Sequence, residues 1–239
     1  MNRKIVKLQG FNIDTFSMDE ACEYILENRG QVVTINPEII ELGKKNEDLK
    51  TIINSAELVI PDGIGVQIGL KILGYKVKRI PGIVFARKIL ENSVSNNLRV
   101  ALIGSKPEII EKTVEKLKVE IPGINIVFSH DGYFKDDEKL FNDVINSSPD
   151  IVFFALGAPR QEECIYSIKK SLPKAIMIGV GGSFDVWSGN VQRAPEIYQN
   201  LGLEWLYRTV KEPKRLKRIF PTLPKFIFSV IKESWGKTC

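Results

Sequence analysis

The chain has 239 residues, of which 44% are hydrophobic and 26% charged, and these proportions are ordinary for a globular protein with a sizeable core. Three widely separated cysteines argue against a disulfide framework or a zinc site, and the single histidine, His130, leaves little scope for Ser-His-Asp chemistry. The net charge of +5 lies in the tail: residues 208–239 contain nine Lys and Arg against two Asp and Glu, so this segment carries +7 and the rest of the chain −2.

The same observations bear on where the protein works. Isolated cysteines favour a reduced, cytoplasmic setting. The first residues lead into an alternating strand pattern and not into a long apolar segment, so we expect no signal peptide. No apolar run reaches the roughly 18–20 residues needed to span a bilayer, so we expect no transmembrane helix.

The first predicted elements are a hairpin, a helix and a strand. Alternating residues predict a β-hairpin over residues 4–13, and the capping box Ser17-x-x-Glu20 opens a helix that runs to about residue 28. A strand over residues 31–35 follows. It contains Thr34, whose hydroxyl can point toward the carboxyl end of the strand.

The next segment has two polar residues with more than one interpretation. Asn36, followed by Pro37, is first of all a helix N-cap. Asp62 lies in the turn Pro61-Asp62-Gly63 after a short strand, and spacing alone favours turn chemistry. The alternative is a general base, since a carboxylate at a strand end can accept a proton from a sugar hydroxyl. Arg79 is equally consistent with a solvated surface or an anion contact.

Strands and helices then alternate, which is typical of parallel βαβ units. The predicted strands cover residues 58–60, 100–104, 124–128, 151–156 and 176–180, and the predicted helices cover residues 64–73, 83–92, 108–117, 136–145 and 161–170. We predict an α/β fold: a doubly wound, mainly parallel, Rossmann-like sheet with helices on both faces over residues 1–195, and a helical appendage over residues 196–239.

The apolar run IVFFAL at residues 151–156 predicts a strand covered on both faces, and the polar loop GAPRQE follows it. Ligands of open α/β sheets bind in the crevice beyond the carboxyl ends of the strands. This rule puts Arg160 and Gln161 where a substrate can lie.

The glycine-rich segment at residues 179–182 invites comparison with a dinucleotide fingerprint, but Phe184 stands where the last glycine is needed. Two interpretations remain equally good: a tight turn, or glycine N–H groups that approach a diphosphate. The sequence has no P-loop and no Asp-x-Asp pair for a divalent metal, so metal dependence is not indicated.

The tail combines charge with apolar periodicity. Helical pieces are predicted at about residues 198–210, 214–219 and 225–235, with Pro213 as an interruption. Basic side chains recur at three- and four-residue steps at Arg208, Lys211, Arg215 and Arg218. Apolar residues repeat near the helical period at Phe226, Ile227, Val230, Ile231 and Trp235, with Lys225 and Lys232 alongside. This pattern fits an interfacial helix on an anionic membrane or a helix packed on the body, and the charge alone also fits a nucleic-acid groove.

Several short motifs occur in one order along nearly the whole chain. They are TINPE at residues 34–38, PDGIG at 61–65, RIPG at 79–82, GAPRQE at 157–162, GVGGSFD at 179–185, RAP at 193–195, LEWLYR at 203–208 and EPKR at 212–215. In this set the chain resembles the WecG/TagA/CpsF glycosyltransferases, and the last two motifs look especially like the TagA branch. The resemblance implies inverting transfer of N-acetylmannosamine from UDP-N-acetylmannosamine to undecaprenyl-diphosphate-linked N-acetylglucosamine, with a β-1,4 linkage, in teichoic acid linkage-unit synthesis.

The resemblance also implies roles for single residues. The general base falls on Asp62, the pocket threonine on Thr34, and the polar loop on Arg160 and Gln161. We assign Asp62, Thr34 and Gln161 to catalysis and Arg160 to substrate binding. Tail arginines that stabilise the leaving UDP fall on Arg208, Arg215 and Arg218. The remaining residues that we assign to substrate binding are Asn36, Arg79, Gly181, Gly182 and Asp185.

The implied partners are a UDP-sugar donor, a polyprenyl-diphosphate-linked acceptor and the anionic inner face of the cell membrane, with no cofactor, metal or nucleic acid. A homodimer or homotrimer would cover the apolar tail away from the membrane. Three alternatives stay open: a related enzyme that uses N-acetylmannosaminuronic acid or glucose as its donor sugar, an NAD-type oxidoreductase, and a nucleic-acid-binding protein.

Overall fold

The computed structural model describes residues 3–211 and 216–236, apart from the side chains of Arg208 and of residues 216–221. An antiparallel hairpin is formed by β1 (Ile5–Leu8) and β2 (Phe11–Asp14). The main sheet consists of β3 (Gly30–Ile35), β4 (Leu58–Pro61), β5 (Arg99–Gly104), β6 (Asn125–His130), β7 (Ile151–Ala155) and β8 (Ile176–Gly179). These strands pair in the order β4-β3-β8-β7-β5-β6, and all of the pairs are parallel. The predicted doubly wound α/β fold is confirmed.

Helices cover both faces of this sheet. They are α1 (Met18–Asn28), α2 (Pro37–Gly43), α3 (Glu47–Asn54), α4 (Ile64–Ile72), α5 (Gly82–Ser95), α6 (Pro107–Glu120), α7 (Asp137–Ser147), α8 (Arg160–Ile168), α9 (Ser183–Trp187), α10 (Glu196–Asn200), α11 (Glu204–Lys211) and α12 (Leu216–Gly236). Local chemistry sets several of their starts. The capping box of Ser17 and Glu20 opens α1, and the side chain of Asn36 accepts the N–H groups of Glu38 and Ile39 at 3.0 Å to open α2.

The core lies on both sides of the sheet, because successive residues of a strand face opposite ways. Val32 of β3 packs with α1, α5, α6 and α9 on one face. Its neighbour Val33 packs on the other face, with the hairpin, α2, α3, α4 and α12. The part of that second face under β5, β7 and β8 is covered by α7 and α8.

From here on, the tail is the whole predicted appendage, residues 196–239, and the body is the rest of the chain. The tail differs from its sequence prediction at one glycine. The helix expected over residues 198–210 is two helices, α10 and α11, separated at Gly202, which has a φ of +72°. A Cβ at this position would lie 2.9 Å from Cβ of Ile64, so a side chain there would meet α4. Glycine therefore breaks the helix and also lets the tail approach the body closely.

The last helix differs in the opposite direction. Two helical pieces were expected, over residues 214–219 and 225–235. From residue 216 onward they form one helix, α12, which continues through Pro221 and Pro224. Proline normally interrupts a helix at a cost of about 3 kcal/mol. The inner face of α12 offsets this cost, because Phe226 and Val230 are completely buried against the body. For these two residues the alternative of a helix packed on the body is correct.

Two glycines of α4 form a notch that receives α12. A Cβ at Gly65 would lie 2.8 Å from Cδ1 of Leu223, and a Cβ at Gly69 would lie 3.1 Å from Cζ of Phe226. Polar contacts add to this packing, since Lys225 Nζ lies 3.3 Å from the carboxylate of Glu41 on α2. The tail is thus seated on the helix that follows the Asp62 turn.

Candidate active site

A cavity of about 270 Å³ opens at the carboxyl ends of β3, β4 and β8. The body contributes the loops after these strands and the start of α5, and the tail closes the opposite side. The lining residues from the body are Thr34, Asn36, Pro37, Glu38, Asp62, Gly63, Ile64, Gly65, Arg79, Pro81, Gly82, Ile83, Val180 and Ser183, and those from the tail are Gly202, Glu204, Trp205, Thr222 and Leu223.

Asp62 is fixed in this cavity by the backbone of three segments. Its N–H donates to the carbonyl of Ile35 at 2.8 Å, which ties the turn after β4 to the end of β3. The backbone N–H groups of Gly82 and Gly63 lie close enough to its carboxylate to lower its pKa. The carboxylate is therefore oriented without the help of a side-chain donor among these contacts.

The electrostatic surroundings of Asp62 suit a base that works near neutral pH. Burial raises the pKa of its carboxyl from 3.8 to about 6, and the negative charge of Glu204 acts in the same direction. The pKa does not rise further because it is lowered by the N–H groups of Gly82 and Gly63 and by the charge of Arg79. At pH 7 most molecules therefore carry an ionised Asp62, and its raised pKa makes it a stronger base than an ordinary carboxylate.

The close approach of β3, β4 and α5 depends on Gly82. A Cβ at this position would lie 2.9 Å from Cγ2 of Thr34 and 3.2 Å from Oδ2 of Asp62. Gly82 is also the first residue of α5, so the positive end of that helix dipole faces the carboxylate. The absence of a side chain at residue 82 thus brings Thr34 and Asp62 together at one helix N-terminus.

Arg79 connects the body to the tail beside this group. Its backbone N–H donates to Oε1 of Gln67 at 3.1 Å, and its guanidinium donates to the backbone carbonyl of Gln199 in α10. The side chain lines the cavity while it holds the tail. Of the two interpretations of Arg79, a purely solvated surface position is excluded.

The tail supplies two cavity residues that sequence reasoning missed, Glu204 and Trp205. Glu204 accepts a hydrogen bond from Nε of Arg193 at 3.1 Å and faces Asp62 closely enough to affect its pKa. Arg193 belongs to the RAP motif and Glu204 to LEWLYR, so both motifs were visible in the sequence. Their pairing was not, because it depends on the turn at Gly202.

Comparison with known proteins assigns the chain to a family. The model of the glycosyl transferase WecG/TagA/CpsF family matches residues 6–239. The chain belongs to this family. Two of its curated relatives are both called N-acetylglucosaminyldiphosphoundecaprenol N-acetyl-beta-D-mannosaminyltransferase. The one from Bacillus spizizenii (strain ATCC 23059 / NRRL B-14472 / W23) is 38% identical over 211 residues, which cover 87% of this chain and 82% of the relative. The one from Bacillus subtilis (strain 168) is 38% identical over 216 residues, which cover 90% and 84%.

Membership of the WecG/TagA/CpsF family makes the chain a glycosyltransferase and confirms the resemblance seen in its motifs. The alternatives of an NAD-type oxidoreductase and a nucleic-acid-binding protein are set aside with it. Among the residues assigned from that resemblance, Thr34, Asn36, Asp62 and Arg79 share the cavity. Asn36 uses its side-chain oxygen to cap α2.

The other predicted site residues that the structure describes are not among the residues that line the cavity. Arg160 turns toward the loop after β6: its guanidinium carbon lies 4.3 Å from the centre of the Phe134 ring, and Nη1 donates to the carbonyl of Gly132 at 3.3 Å. Gln161 is buried behind the wall, where its Oε1 accepts the N–H of Gly181 at 3.0 Å. Gly182 and Asp185 continue from Gly181 into α9.

None of the three predicted tail arginines has a side chain among the described ones. Arg215 lies outside the described residues, and Arg208 and Arg218 belong to α11 and α12 with side chains outside the description. Within residues 3–211 and 216–236, no three His, Cys, Asp or Glu side chains form a group suited to a metal ion. Of the described helices, none combines the length and the apolarity needed to cross a bilayer.

Proposed function

We propose that the chain transfers N-acetylmannosamine from UDP-N-acetylmannosamine to undecaprenyl-diphosphate-linked N-acetylglucosamine, forming a β-1,4 linkage during teichoic acid linkage-unit synthesis. The names of the two Bacillus relatives support this acceptor and the transferred N-acetylmannosamine. The observation that carries the chemistry is Asp62: an oriented carboxylate with a pKa of about 6 in a cavity shared by the body and the tail.

The reaction is a single displacement with Asp62 as the base. The acceptor hydroxyl oxygen attacks the anomeric carbon of the donor sugar while its proton passes to a carboxylate oxygen of Asp62. The bond between the anomeric carbon and the diphosphate oxygen breaks, and UDP leaves with the electron pair. One displacement inverts the configuration, so no second carboxylate nucleophile is needed.

The size of the cavity suggests how the donor is divided between subsites. At about 270 Å³ it is smaller than the roughly 300–1,000 Å³ of sites that enclose drug-sized ligands. We place the reacting sugar in the cavity and the nucleoside diphosphate along the strand ends, past Gly181 and Gly182 toward Arg160 and Asp185. Glycine N–H groups and arginines can stabilise the charge of the leaving diphosphate there, and the tail arginines Arg208, Arg215 and Arg218 are assigned the same role.

The outer face of α12 supports a peripheral position on the inner face of the cell membrane. Phe228 and Trp235 are each 70% exposed and lie seven residues apart, so they share one face of the helix. Lys225 and Lys232 are exposed on the same side. Aromatic residues flanked by lysines suit the boundary of an anionic bilayer, where the lipid-linked acceptor resides. A dimer or trimer that covers this face in the absence of membrane is part of the same proposal.

Transfer to a lipid-diphosphate N-acetylglucosamine analogue tests the function directly. Purified protein is incubated with UDP-N-acetylmannosamine, UDP-N-acetylmannosaminuronic acid or UDP-glucose, and the disaccharide product is measured by mass spectrometry. We expect product with the first donor, and with Asp62→Asn we expect a loss of about 10²–10⁴-fold in kcat. Preference for another donor would keep the family chemistry but replace the substrate, and full activity of the Asn variant would refute Asp62 as the base.

A further inference from the structure

The first turn of α8 carries two adjacent buried polar side chains, Gln161 and Glu162, which are 4% and 2% exposed. Nε2 of Gln161 donates to Oε1 of Glu162 at 2.8 Å, and Oε1 of Gln161 accepts the backbone N–H of Gly181 at 3.0 Å. The amide also lies directly over Gly179, where a Cβ would be 2.5 Å from Nε2. A side chain at residue 179 of β8 would therefore occupy the space that the Gln161 amide fills.

The two contacts fix which way the amide faces. Because a carboxyl oxygen of Glu162 accepts, the NH₂ group of Gln161 must lie on that side. Its carbonyl oxygen is then left to face the N–H of Gly181. If the acceptor were lost, the amide could rotate by 180° and place an N–H donor against the N–H of Gly181, which would leave both groups unpaired.

Gly181 is the link between this pair and the cavity. It has a φ of +50° and lies between Val180 and Ser183, both of which line the cavity that Gln161 does not reach. Within the same turn, the N–H and the hydroxyl of Ser183 both donate to the carbonyl of Val180, at 3.1 and 2.7 Å. The position of the Gly181 peptide therefore sets the wall formed by Val180 and Ser183.

We propose that Gln161 and Glu162 are positioning residues: a buried clamp that holds the Gly181 peptide and so shapes the wall on which the donor binds. Neither residue lines the cavity, and Glu162 acts through Gln161. The inference rests on the proposed transferase function, since the wall belongs to the same cavity as Asp62.

The clamp needs an acceptor at residue 162 and not a charge. Burial raises the pKa of Glu162 to about 7, so neutral and ionised forms coexist near neutral pH. Both forms can present Oε1 to Gln161, because the proton can reside on Oε2, which has no hydrogen-bond partner in the described part of the chain. A neutral amide at residue 162 should work equally well.

Three variants separate a positioning role from simple stabilisation. Glu162→Gln keeps an acceptor oxygen, Glu162→Met keeps the approximate size but removes the acceptor, and Ile165→Val perturbs a fully buried neighbour on α8 that belongs to the apolar core. Each is compared with the unmodified protein for thermal unfolding and for kcat and KM toward UDP-N-acetylmannosamine and toward the lipid-diphosphate acceptor.

We expect Glu162→Gln to stay within about threefold of the unmodified protein, and Glu162→Met to lose about tenfold or more in kcat/KM for the donor, as for an unpaired buried group. The KM for the acceptor should not change. Ile165→Val should lower the unfolding temperature without this donor-specific loss. If Glu162→Met is not recovered folded, Gln161→Met, which removes the acceptor of the Gly181 N–H, should give the same donor-specific loss.

The outcomes distinguish the inference from the function on which it rests. An unmodified protein that makes no product would overturn the proposed function itself. With an active unmodified protein, normal donor kinetics of Glu162→Met, or of Gln161→Met where that variant is used, would overturn the clamp. Equal losses in Glu162→Gln and Glu162→Met, or the same loss in Ile165→Val, would overturn it as well.

Discussion

Replacing Asp62 by Asn should make the protein more stable at neutral pH while it abolishes transfer. In the folded protein burial raises the pKa of this carboxyl from 3.8 to about 6, so the folded state binds the proton more tightly than the unfolded chain does. The ionised carboxylate therefore opposes folding. The penalty is fully present above pH 6 and disappears below about pH 4, where both states are protonated.

The size of the effect follows from the two pKa values. Their difference corresponds to at most about 3 kcal/mol at high pH. Asn forms weaker hydrogen bonds with the N–H groups of Gly82 and Gly63, which should offset about 1 kcal/mol of that gain. A net gain of about 1–2 kcal/mol corresponds to an unfolding temperature about 2–8 °C higher in a chain of this length.

Thermal unfolding followed by circular dichroism at pH 8 and pH 4 checks this expectation. Asp62→Asn should unfold at a higher temperature at pH 8 and show little gain at pH 4. The matched control is Asp143→Asn, which removes an exposed carboxylate of α7 and should change little at either pH. An Asp62→Asn protein that is equally or less stable at pH 8 would refute the view that burial of this carboxylate costs folding energy.

Three further predictions concern the same cavity and the tail. The kcat/KM of the unmodified protein should fall tenfold per pH unit below about pH 6, and in Glu204→Gln this acid limb should move to lower pH because a negative charge near Asp62 is gone; an unmoved limb would contradict the coupling. Gly82→Ala should lower both activity and unfolding temperature, since its methyl group would lie 2.9 Å from Thr34, whereas Gly236→Ala, where a Cβ meets no atom within 4 Å, should change neither. Replacing Phe228 and Trp235 together by Ser should reduce co-sedimentation with anionic vesicles while activity on a short-chain, water-soluble acceptor stays normal; undiminished sedimentation would leave α12 without a membrane role.

Most of the sheet could be predicted from the sequence because its strands are short apolar runs bounded by turn residues. The run at residues 151–156, for example, becomes the fully buried strand β7. In the tail, local sequence patterns did not predict where the helices begin and end, because tertiary contacts determine these positions. Gly202 breaks a helix because its backbone approaches Ile64, and α12 continues through Pro221 and Pro224 because its inner face is buried. The apolar repeat of α12 was visible in the sequence, but which surface it packs on and where the backbone of Gly202 lies were not.

The candidate site could also be predicted only in part. The rule that polar residues after parallel strands meet at one edge of the sheet brought Thr34 and Asp62 together correctly, because β3 and β4 are neighbours. The rule does not say which way a side chain turns. Arg160 and Gln161 follow β7, which is separated from β3 by β8, and one turns toward Phe134 while the other enters the protein interior. Sequence order cannot reveal that difference.

The notch in α4 has a consequence for exchanging parts between members of the family. Gly65 leaves room for Leu223 of the tail and for Pro37 of the body, and Gly69 leaves room for Phe226 of the tail, so both glycines help to seat the tail. A chimera that joins this body to a foreign tail would keep the two glycines but replace the residues at positions 223 and 226. We expect such a chimera to be active only when the foreign residues at positions 223 and 226 still fit against Gly65 and Gly69, so the body and the tail must match each other at this contact.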